Sequence, residues 1–123
     1  YIIYTSGTTG SPKGVKVSKE NIMSTIENLK TKNILNKDDI VYQNMSMIFD
    51  PSIMDILYPI VVGASIYIPQ QRFYGEELEE VLQEEKITVL TMTPSLLRVS
   101  NLSKNTFLEK IIVGGEKLRR YTR

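Results

Sequence analysis

The chain contains no cysteine and no histidine among its 123 residues. Without cysteine there can be no disulfide framework, no thiol nucleophile and no cysteine-ligated metal. Without histidine there can be no Ser-His-Asp triad and no histidine-ligated zinc. We therefore predict no metal-ligating residues, and any chemistry must be carried out by hydroxyls, carboxylates, lysines and backbone groups.

Long apolar runs and an excess of charge of one sign are also absent. No apolar run approaches the roughly 20 residues that a membrane helix needs, and the N-terminus shows no signal peptide. The 15 basic and 14 acidic residues nearly cancel, which gives no indication of nucleic acid or of a charged membrane surface. These absences predict a cytoplasmic protein with no nucleic-acid partner and no membrane partner.

The most informative stretch is residues 4–14, YTSGTTGSPKG, which combines glycines, hydroxyls and Lys13. Glycine permits tight turns and close ligand approach, and successive backbone N–H groups form an anion site. The flanking residues predict a buried strand end over 1–4 and a short strand over 15–17. The stretch thus indicates a phosphate-binding loop between two strands, and a solvated turn is the alternative. It is not a Walker A loop, because Lys13 does not precede the hydroxyl residue that opens a helix.

Apolar patterns alternate between strands and helices along the rest of the chain. Strands are predicted at 40–42, 64–68, 88–92 and 110–113, and helices from 19, after 52, over 76–85 and over 94–100. The helix after 52 should be ended or kinked by Pro59 and stop at Gly63. Its predicted apolar face consists of Ile53, Ile56, Leu57, Ile60 and Val61.

This alternation predicts an α/β fold with a mostly parallel sheet and helices on both faces. Ligands bind beyond the carboxyl ends of such strands. Asp50, Thr91 and Gly114 fall at or just after predicted strand ends, so we expect them to converge at one rim of the sheet.

Residues 49–52, Phe-Asp-Pro-Ser, have two interpretations. Asp50 or Ser52 could satisfy the free N–H groups of the following helix. Alternatively, Asp50 is a carboxylate in a partly apolar pocket that pairs with a ligand ammonium. Such a site rejects ligands without the amine, because Asp50 would be left unpaired.

Residues 4–14 resemble the signature loop of the adenylate-forming, or AMP-binding, superfamily. In that family the loop binds the pyrophosphate part of ATP while an acyl-adenylate forms. The resemblance implies that Lys13, Thr8 and Thr9 are catalytic. The implied phosphate-binding residues are Thr5, Ser6, Gly7, Thr8, Thr9, Gly10, Lys13 and Gly14.

Residues 49–52 resemble the Phe-Asp-x-Ser element of amino-acid-activating adenylation domains, in which the aspartate holds the substrate α-amino group. The resemblance implies this role for Asp50 and a substrate pocket lined by Pro51, Met54, Thr91, Ile112 and Gly114. Plain core packing is the alternative for Met54 and Ile112. Gly114, Gly115 and Glu116 resemble the turn that packs against adenine, although most Gly-Gly pairs are only turns.

The resemblance implies part of the large N-terminal domain of a peptide-synthetase adenylation enzyme, with residues 1–123 as one internal fragment. Residues 1–17 would form the phosphate loop and its strands, and residues 18–123 the substrate- and adenine-binding part. The intact enzyme would use ATP and Mg²⁺ to activate an amino acid and pass it to the phosphopantetheine of a carrier protein. We expect the fragment alone to be inactive.

Three alternatives remain open. Residues 54–59 also resemble the corresponding run of D-alanine:carrier-protein ligases. Another acyl-adenylate ligase is also possible, although an acyl-CoA synthetase is disfavoured by Asp50. The fragment by itself could also be only a weak nucleotide-binding module.

Overall fold

A computed structural model describes residues 1–7 and 10–117, which form a two-stranded hairpin and a four-stranded sheet with helices. The elements in chain order are β1 (Ile2–Ser6), β2 (Pro12–Lys16), α1 (Lys19–Thr31), β3 (Ile40–Tyr42), α2 (Pro51–Val62), β4 (Ser65–Tyr67), α3 (Gly75–Glu84), β5 (Val89–Met92), α4 (Pro94–Val99) and β6 (Lys110–Val113).

The four-stranded sheet is parallel throughout, in the order β4-β3-β5-β6. Successive side chains of a strand point to opposite faces, and both faces are covered by helices. Val41 and Val89 belong to a core on the side of α1 and α2. Tyr42 and Leu90 belong to a second core, which includes Leu78 of α3. The predicted α/β fold is confirmed.

The helix ends follow local chemistry. The Asn21 N–H donates to Ser18 Oγ over 3.2 Å, so Ser18 caps α1. Gly63 ends α2 with φ +81°, a conformation that favours glycine. Pro59 does not end α2, which continues to Val62. Pro59 lies in the last turn, and its missing N–H removes one helical hydrogen bond.

The predicted apolar face of α2 is right for Leu57 and Val61, which pack against the core that includes Val41 and Val89, and wrong for the residues that the helix buries most deeply. The buried residues are Ser52, Asp55, Tyr58 and Pro59, whereas Ile60 is 61% exposed. Polar groups on the buried face have partners: Leu35 N–H, for example, donates to the Tyr58 hydroxyl over 3.2 Å. Because hydrogen-bonded polar side chains can be buried, hydrophobic periodicity alone does not locate this face.

The strand before the loop is exposed rather than buried. Strands β1 and β2 pair antiparallel with each other from Ile2–Lys16 to Ser6–Pro12, and β2 begins earlier than predicted. Ile2 is 60% exposed and Tyr4 is 70% exposed. The hairpin lies outside the parallel sheet, so among the described residues no second sheet layer covers its apolar side chains.

A buried ion pair joins three strands at the amino ends of the parallel sheet. Lys110 Nζ lies 2.7 Å from Asp39 Oδ2, and the Thr88 hydroxyl donates to Asp39 Oδ1 over 2.9 Å. Burial alone would raise the pKa of Asp39. Hydrogen bonds from Lys110, from the Asn36 N–H and from Thr88 outweigh burial and hold that pKa below its usual range.

Replacing Lys110 with methionine should leave the Asp39 carboxylate buried without its cation. We expect the free energy of unfolding of the intact protein to fall by about 3 kcal/mol, the low end for a buried pair, since the Lys110 side chain is 28% exposed. Urea denaturation measures this change. Because the folded-state pKa of Asp39 is lowered, the stabilisation should be present at neutral pH and disappear as the pH falls through that lowered value.

The matched control is Lys30→Met, which removes the exposed pair between Lys30 and Glu27. Exposed pairs contribute about 0–1 kcal/mol. Equal losses for the two variants would contradict a structural role for the buried pair.

Candidate functional site: an apolar cavity beside the hairpin

Six predicted site residues line a single cavity of about 360 Å³ at the carboxyl ends of the strands. They come from the start of α2, from β5 and from the end of β6. They are Asp50, Pro51, Met54, Thr91, Ile112 and Gly114. The expected convergence of these positions is therefore observed, while their role in binding a substrate stays a prediction.

Strand register explains how the cavity forms. Thr91 lies two residues after Val89 in β5, so both side chains project to the face covered by α1 and α2. Thr91 is the neighbour of Ile112 in the parallel β5–β6 pair. Helix α2 begins at Pro51 and places Met54 in the opposite wall. The cavity thus lies between α2 and the end of the sheet.

Asp50 is exposed at the edge of this cavity and does not cap α2. The Ser52 hydroxyl donates to the Phe49 carbonyl over 2.7 Å, so it does not cap the helix either. The capping interpretation of residues 49–52 is wrong for both side chains. The Asp50 carboxylate is accordingly available for another partner.

Tyr1, which the sequence analysis missed, contacts Asp50. Its hydroxyl donates to Asp50 Oδ1 over 2.6 Å. This hydrogen bond raises the pKa of the Tyr1 hydroxyl to about 12, because the phenol proton is shared with a carboxylate. The contact joins the hairpin to the cavity, and no local sequence signal connects residues so far apart.

Asp55 is a second missed residue and lines the same cavity. It is only 3% exposed. Its Oδ2 accepts the Met45 N–H over 3.3 Å, and the Asn44 N–H and the Thr91 side chain beside it act to lower its pKa. Burial raises the pKa of Asp55 despite these donors. The sequence did contain a signal for Asp55, because it is the one charged residue in the otherwise largely apolar stretch 53–62.

A second cavity, of about 400 Å³, adjoins the first. Met45 and Pro51 line both cavities. Gly115 and Glu116 line the second cavity, whereas Gly114 lines the first. The predicted adenine-binding residues are therefore divided between two neighbouring spaces.

Glu116 is fixed by the start of α4. The Ser95 N–H donates to Glu116 Oε2 over 3.0 Å, and the Ser95 hydroxyl donates to the same oxygen. The Ser95 hydroxyl bond is the main reason that the pKa of Glu116 lies below its usual range. Gly115 has φ +85°. The space where a side chain would stand is empty except for Thr93 Cγ2, which would lie 3.8 Å from an added Cβ. A flat ligand can approach such a backbone closely.

The loop between β1 and β2 has the donor chemistry of an anion site. A side chain on Gly7 would meet the Ser11 carbonyl oxygen at 2.1 Å, so only glycine fits there. Gly10 has φ +83°. Ser6 and Lys13 are exposed, and Lys13 is paired with Thr5 in the register of the hairpin. Phosphate oxygens fit these hydroxyl and ammonium donors.

Two of the three remaining predicted phosphate contacts, Thr8 and Thr9, lie outside the described residues. Gly14 pairs with Tyr4 in the hairpin, and an added side chain there would touch the Tyr4 ring at 3.4 Å. Gly14 therefore packs within the hairpin. Its predicted part in phosphate binding stays untested.

Two further features are absent from the described part of the chain. Within residues 1–7 and 10–117, no group of three or more aspartates or glutamates is arranged to hold a metal ion. Over the same residues, no helix has the length and apolar character required to cross a membrane.

Comparison with known proteins assigns the chain to a family. The family model of the AMP-binding enzymes matches residues 1–122. The chain therefore belongs to the AMP-binding enzyme family, as the residues of the loop predicted.

The relatives are peptide synthetases. The chain is 32% identical over 118 residues to malformin synthetase mlfA of Aspergillus vadensis, covering 96% of this chain and 2% of that protein. It is 33% identical over 130 residues to a plipastatin synthase of Bacillus subtilis, covering 96% of this chain and 4% of that protein. The chain thus spans a small part of each relative.

Solved structures share the fold. The Vibrio cholerae adenylation domain AlmE, in complex with glycyl-adenosine-5'-phosphate, is 32% identical with a TM-score of 0.69, over 80% of this chain and 19% of that chain. CmiS6 is 25% identical with a TM-score of 0.81, over 95% of this chain and 29% of that chain. The predicted place of this chain in the large domain of an adenylate-forming enzyme is confirmed.

The raised pKa of Asp55 predicts a pH-dependent stability. The contribution of Asp55 should be largest below its ordinary pKa of about 3.9 and be lost as the pH rises through the raised folded-state value. Asp55→Asn cannot ionise. Its unfolding free energy should therefore improve relative to that of the original protein as the pH is raised from about 4 to about 8, measured by urea denaturation.

Asp39→Asn is the matched control, because the pKa of Asp39 is shifted in the other direction. Its stability should improve relative to the original protein only as the pH falls below about 4, the ordinary pKa of aspartate. A constant difference between Asp55→Asn and the original protein from about pH 4 to about pH 8 would show that Asp55 has no raised pKa.

Proposed function

We propose that the intact protein activates an amino acid with ATP, forming an aminoacyl-adenylate and releasing pyrophosphate. The main support is the position of Asp50, whose carboxylate lies at the edge of an apolar cavity and makes no capping hydrogen bond to α2. Family membership and the relatives' names agree with this chemistry. The AlmE structure, which contains a glycyl-adenylate, gives an amino-acid precedent within the family.

In this proposal Asp50 binds the substrate ammonium, and Tyr1 orients the carboxylate through its hydroxyl. The substrate side chain enters the cavity behind Met54 and Ile112. The substrate carboxylate then remains at the rim, where ATP can approach. Holding the two reactants together in this way supplies much of the rate enhancement, because it removes the entropy cost of their meeting.

The chemical step is a displacement at phosphorus. A substrate carboxylate oxygen forms a bond to the α-phosphorus of ATP, and the bond from that phosphorus to the bridging oxygen of the β-phosphate breaks. Pyrophosphate leaves with the bonding electrons. Lys13 and the hydroxyls of Thr5 and Ser6 would stabilise the charge that develops on it.

The adenine of ATP would lie against Gly114, Gly115 and Glu116, where the backbone of Gly115 is open. Mg²⁺ would reduce the repulsion between the two anionic reactants. Because the described residues contain no cluster of carboxylates for a metal, we expect Mg²⁺ to be bound mainly through the phosphates, as is usual for this ion.

The second half of the proposed activity is transfer of the aminoacyl group to the phosphopantetheine thiol of a carrier domain. The support is similarity to peptide synthetases over 96% of the chain. A D-alanine:carrier-protein ligase is the second candidate, because residues 54–59 resemble the corresponding run in those enzymes. A panel of L- and D-amino acids in ATP–pyrophosphate exchange separates the two.

Replacing Asp50 with alanine should remove the partner of the substrate ammonium. We expect a loss of about 2–5 kcal/mol of productive amino-acid binding, measured from kcat/KM in amino-acid-dependent ATP–pyrophosphate exchange. The control Asp38→Ala removes an exposed carboxylate that pairs with Lys37, and it should leave exchange unchanged. Unchanged activity of Asp50→Ala would remove Asp50 from the site.

Replacing Lys13 with methionine should slow adenylate formation by roughly 10²–10³-fold, the usual cost of one lost transition-state donor. Single-turnover formation of the adenylate measures this rate. Lys16→Met, at the other end of β2, is the control and should retain the original rate. If Lys13→Met unfolded the protein, the loop would have a structural role instead.

A further inference from the structure

We infer that the cavity selects an amino acid with a large, uncharged, apolar side chain, of the size of leucine, methionine or phenylalanine. This inference rests on the proposed amino-acid activation. It depends on three properties of the cavity: its walls, the state of its polar groups and its volume.

The walls are apolar on every side that the described residues form. Helix α1, the segment after it and the strands contribute aliphatic side chains, and α2 contributes Met54. The aliphatic residues are Leu29, Ile34, Leu35, Val41, Val89 and Ile112. A side chain that enters this space exchanges water for hydrocarbon, which favours apolar groups and penalises polar groups without a partner.

The polar groups in the wall are already engaged. Asp55 accepts the Met45 N–H, and the Asn44 N–H and the Thr91 side chain beside it also favour its ionised form. The Tyr58 hydroxyl accepts the Leu35 N–H. Asp55 therefore serves the protein's own donors, and a substrate ammonium or guanidinium would have to displace them. A carboxylate side chain would find no lysine or arginine in the described lining.

Asp50 is the other charged residue in the wall, and the proposed function assigns it to the substrate α-amino group. Within the described lining, a second substrate charge would thus be buried without a partner of its own. Buried charges of that kind are strongly disfavoured. The charged residues of the wall therefore argue strongly against substrates with basic or acidic side chains. They do not distinguish one apolar substrate side chain from another.

The volume argues against the smallest substrates. At about 360 Å³, the cavity lies at the lower end of the range for ligand pockets, roughly 300–1,000 Å³. With glycine or alanine as substrate, most of the cavity wall would make no contact with the ligand. The dispersion attraction between ligand and wall would be lost. A single methylene contributes roughly 10–200-fold in specificity in such pockets, so several missing groups should produce a large preference.

The test is ATP–pyrophosphate exchange by the intact protein with L- and D-forms of leucine, methionine, phenylalanine, alanine, aspartate and lysine, together with glycine. We expect kcat/KM for at least one large apolar amino acid to exceed the values for glycine, alanine, aspartate and lysine by about 100-fold or more. A preference for glycine, alanine, D-alanine or a charged amino acid would overturn the inference and leave amino-acid activation intact. Exchange with none of them would overturn the proposed function as well.

A second variant tests the charge argument directly. Ile112 lines the cavity and is 37% exposed, so Ile112→Glu can be accommodated without burying a full charge. It should raise the ratio of kcat/KM for lysine to that for leucine by roughly tenfold or more. Ile112→Gln is the matched control, with similar shape and no charge, and should not favour lysine. An equal change in both variants would contradict selection by charge.

Discussion

The structure depends on β5, a strand buried along its whole length between two strands and two layers of helices. Its parallel pairing with β3 and β6 aligns the carboxyl ends of all three strands at one edge. Val89 and Thr91 face α1 and α2, whereas Leu90 and Met92 face the other core. One strand therefore supplies both the centre of the fold and a wall of the cavity.

Two buried aspartates at opposite ends of the sheet show how their surroundings determine charge. Asp39 is paired with Lys110 at the amino ends of the strands, and its pKa is lowered. Asp55 lies near the carboxyl ends, accepts the Met45 N–H and has no cationic partner among the described residues, and its pKa is raised. The first aspartate holds strands together, while the second joins α2 to β5 and to the segment after β3.

Strand and helix positions were largely predictable, because buried parallel strands have apolar runs and Ser18 and Gly63 are strong end signals. The buried face of α2 was only partly predictable from hydrophobic spacing, because Asp55 is retained there by hydrogen bonds from other elements. Exposure of the hairpin was missed for a related reason: the apolar residues of β1 suggest burial, but strand pairing alone does not provide a covering layer.

For the candidate site, motif residues indicated the six cavity positions, and parallel topology explains why they meet. The contact between Tyr1 and Asp50 was beyond sequence reasoning, since it depends on how the hairpin sits against α2. Sequence reasoning likewise did not divide Gly114 and Gly115 between two neighbouring cavities. Three-dimensional detail of this kind is not encoded in any local pattern.

The most direct test measures whether Asp50 recognises the substrate amine. ATP–pyrophosphate exchange would be compared for the preferred amino acid and for its α-hydroxy analogue, in the original protein and in Asp50→Ala. The two changes form a double-mutant cycle, which isolates the interaction between carboxylate and amine. The account predicts a strong preference for the amine in the original protein and its near-complete loss in Asp50→Ala. An equal preference in both proteins would contradict the account, because the amine would then be recognised by another group.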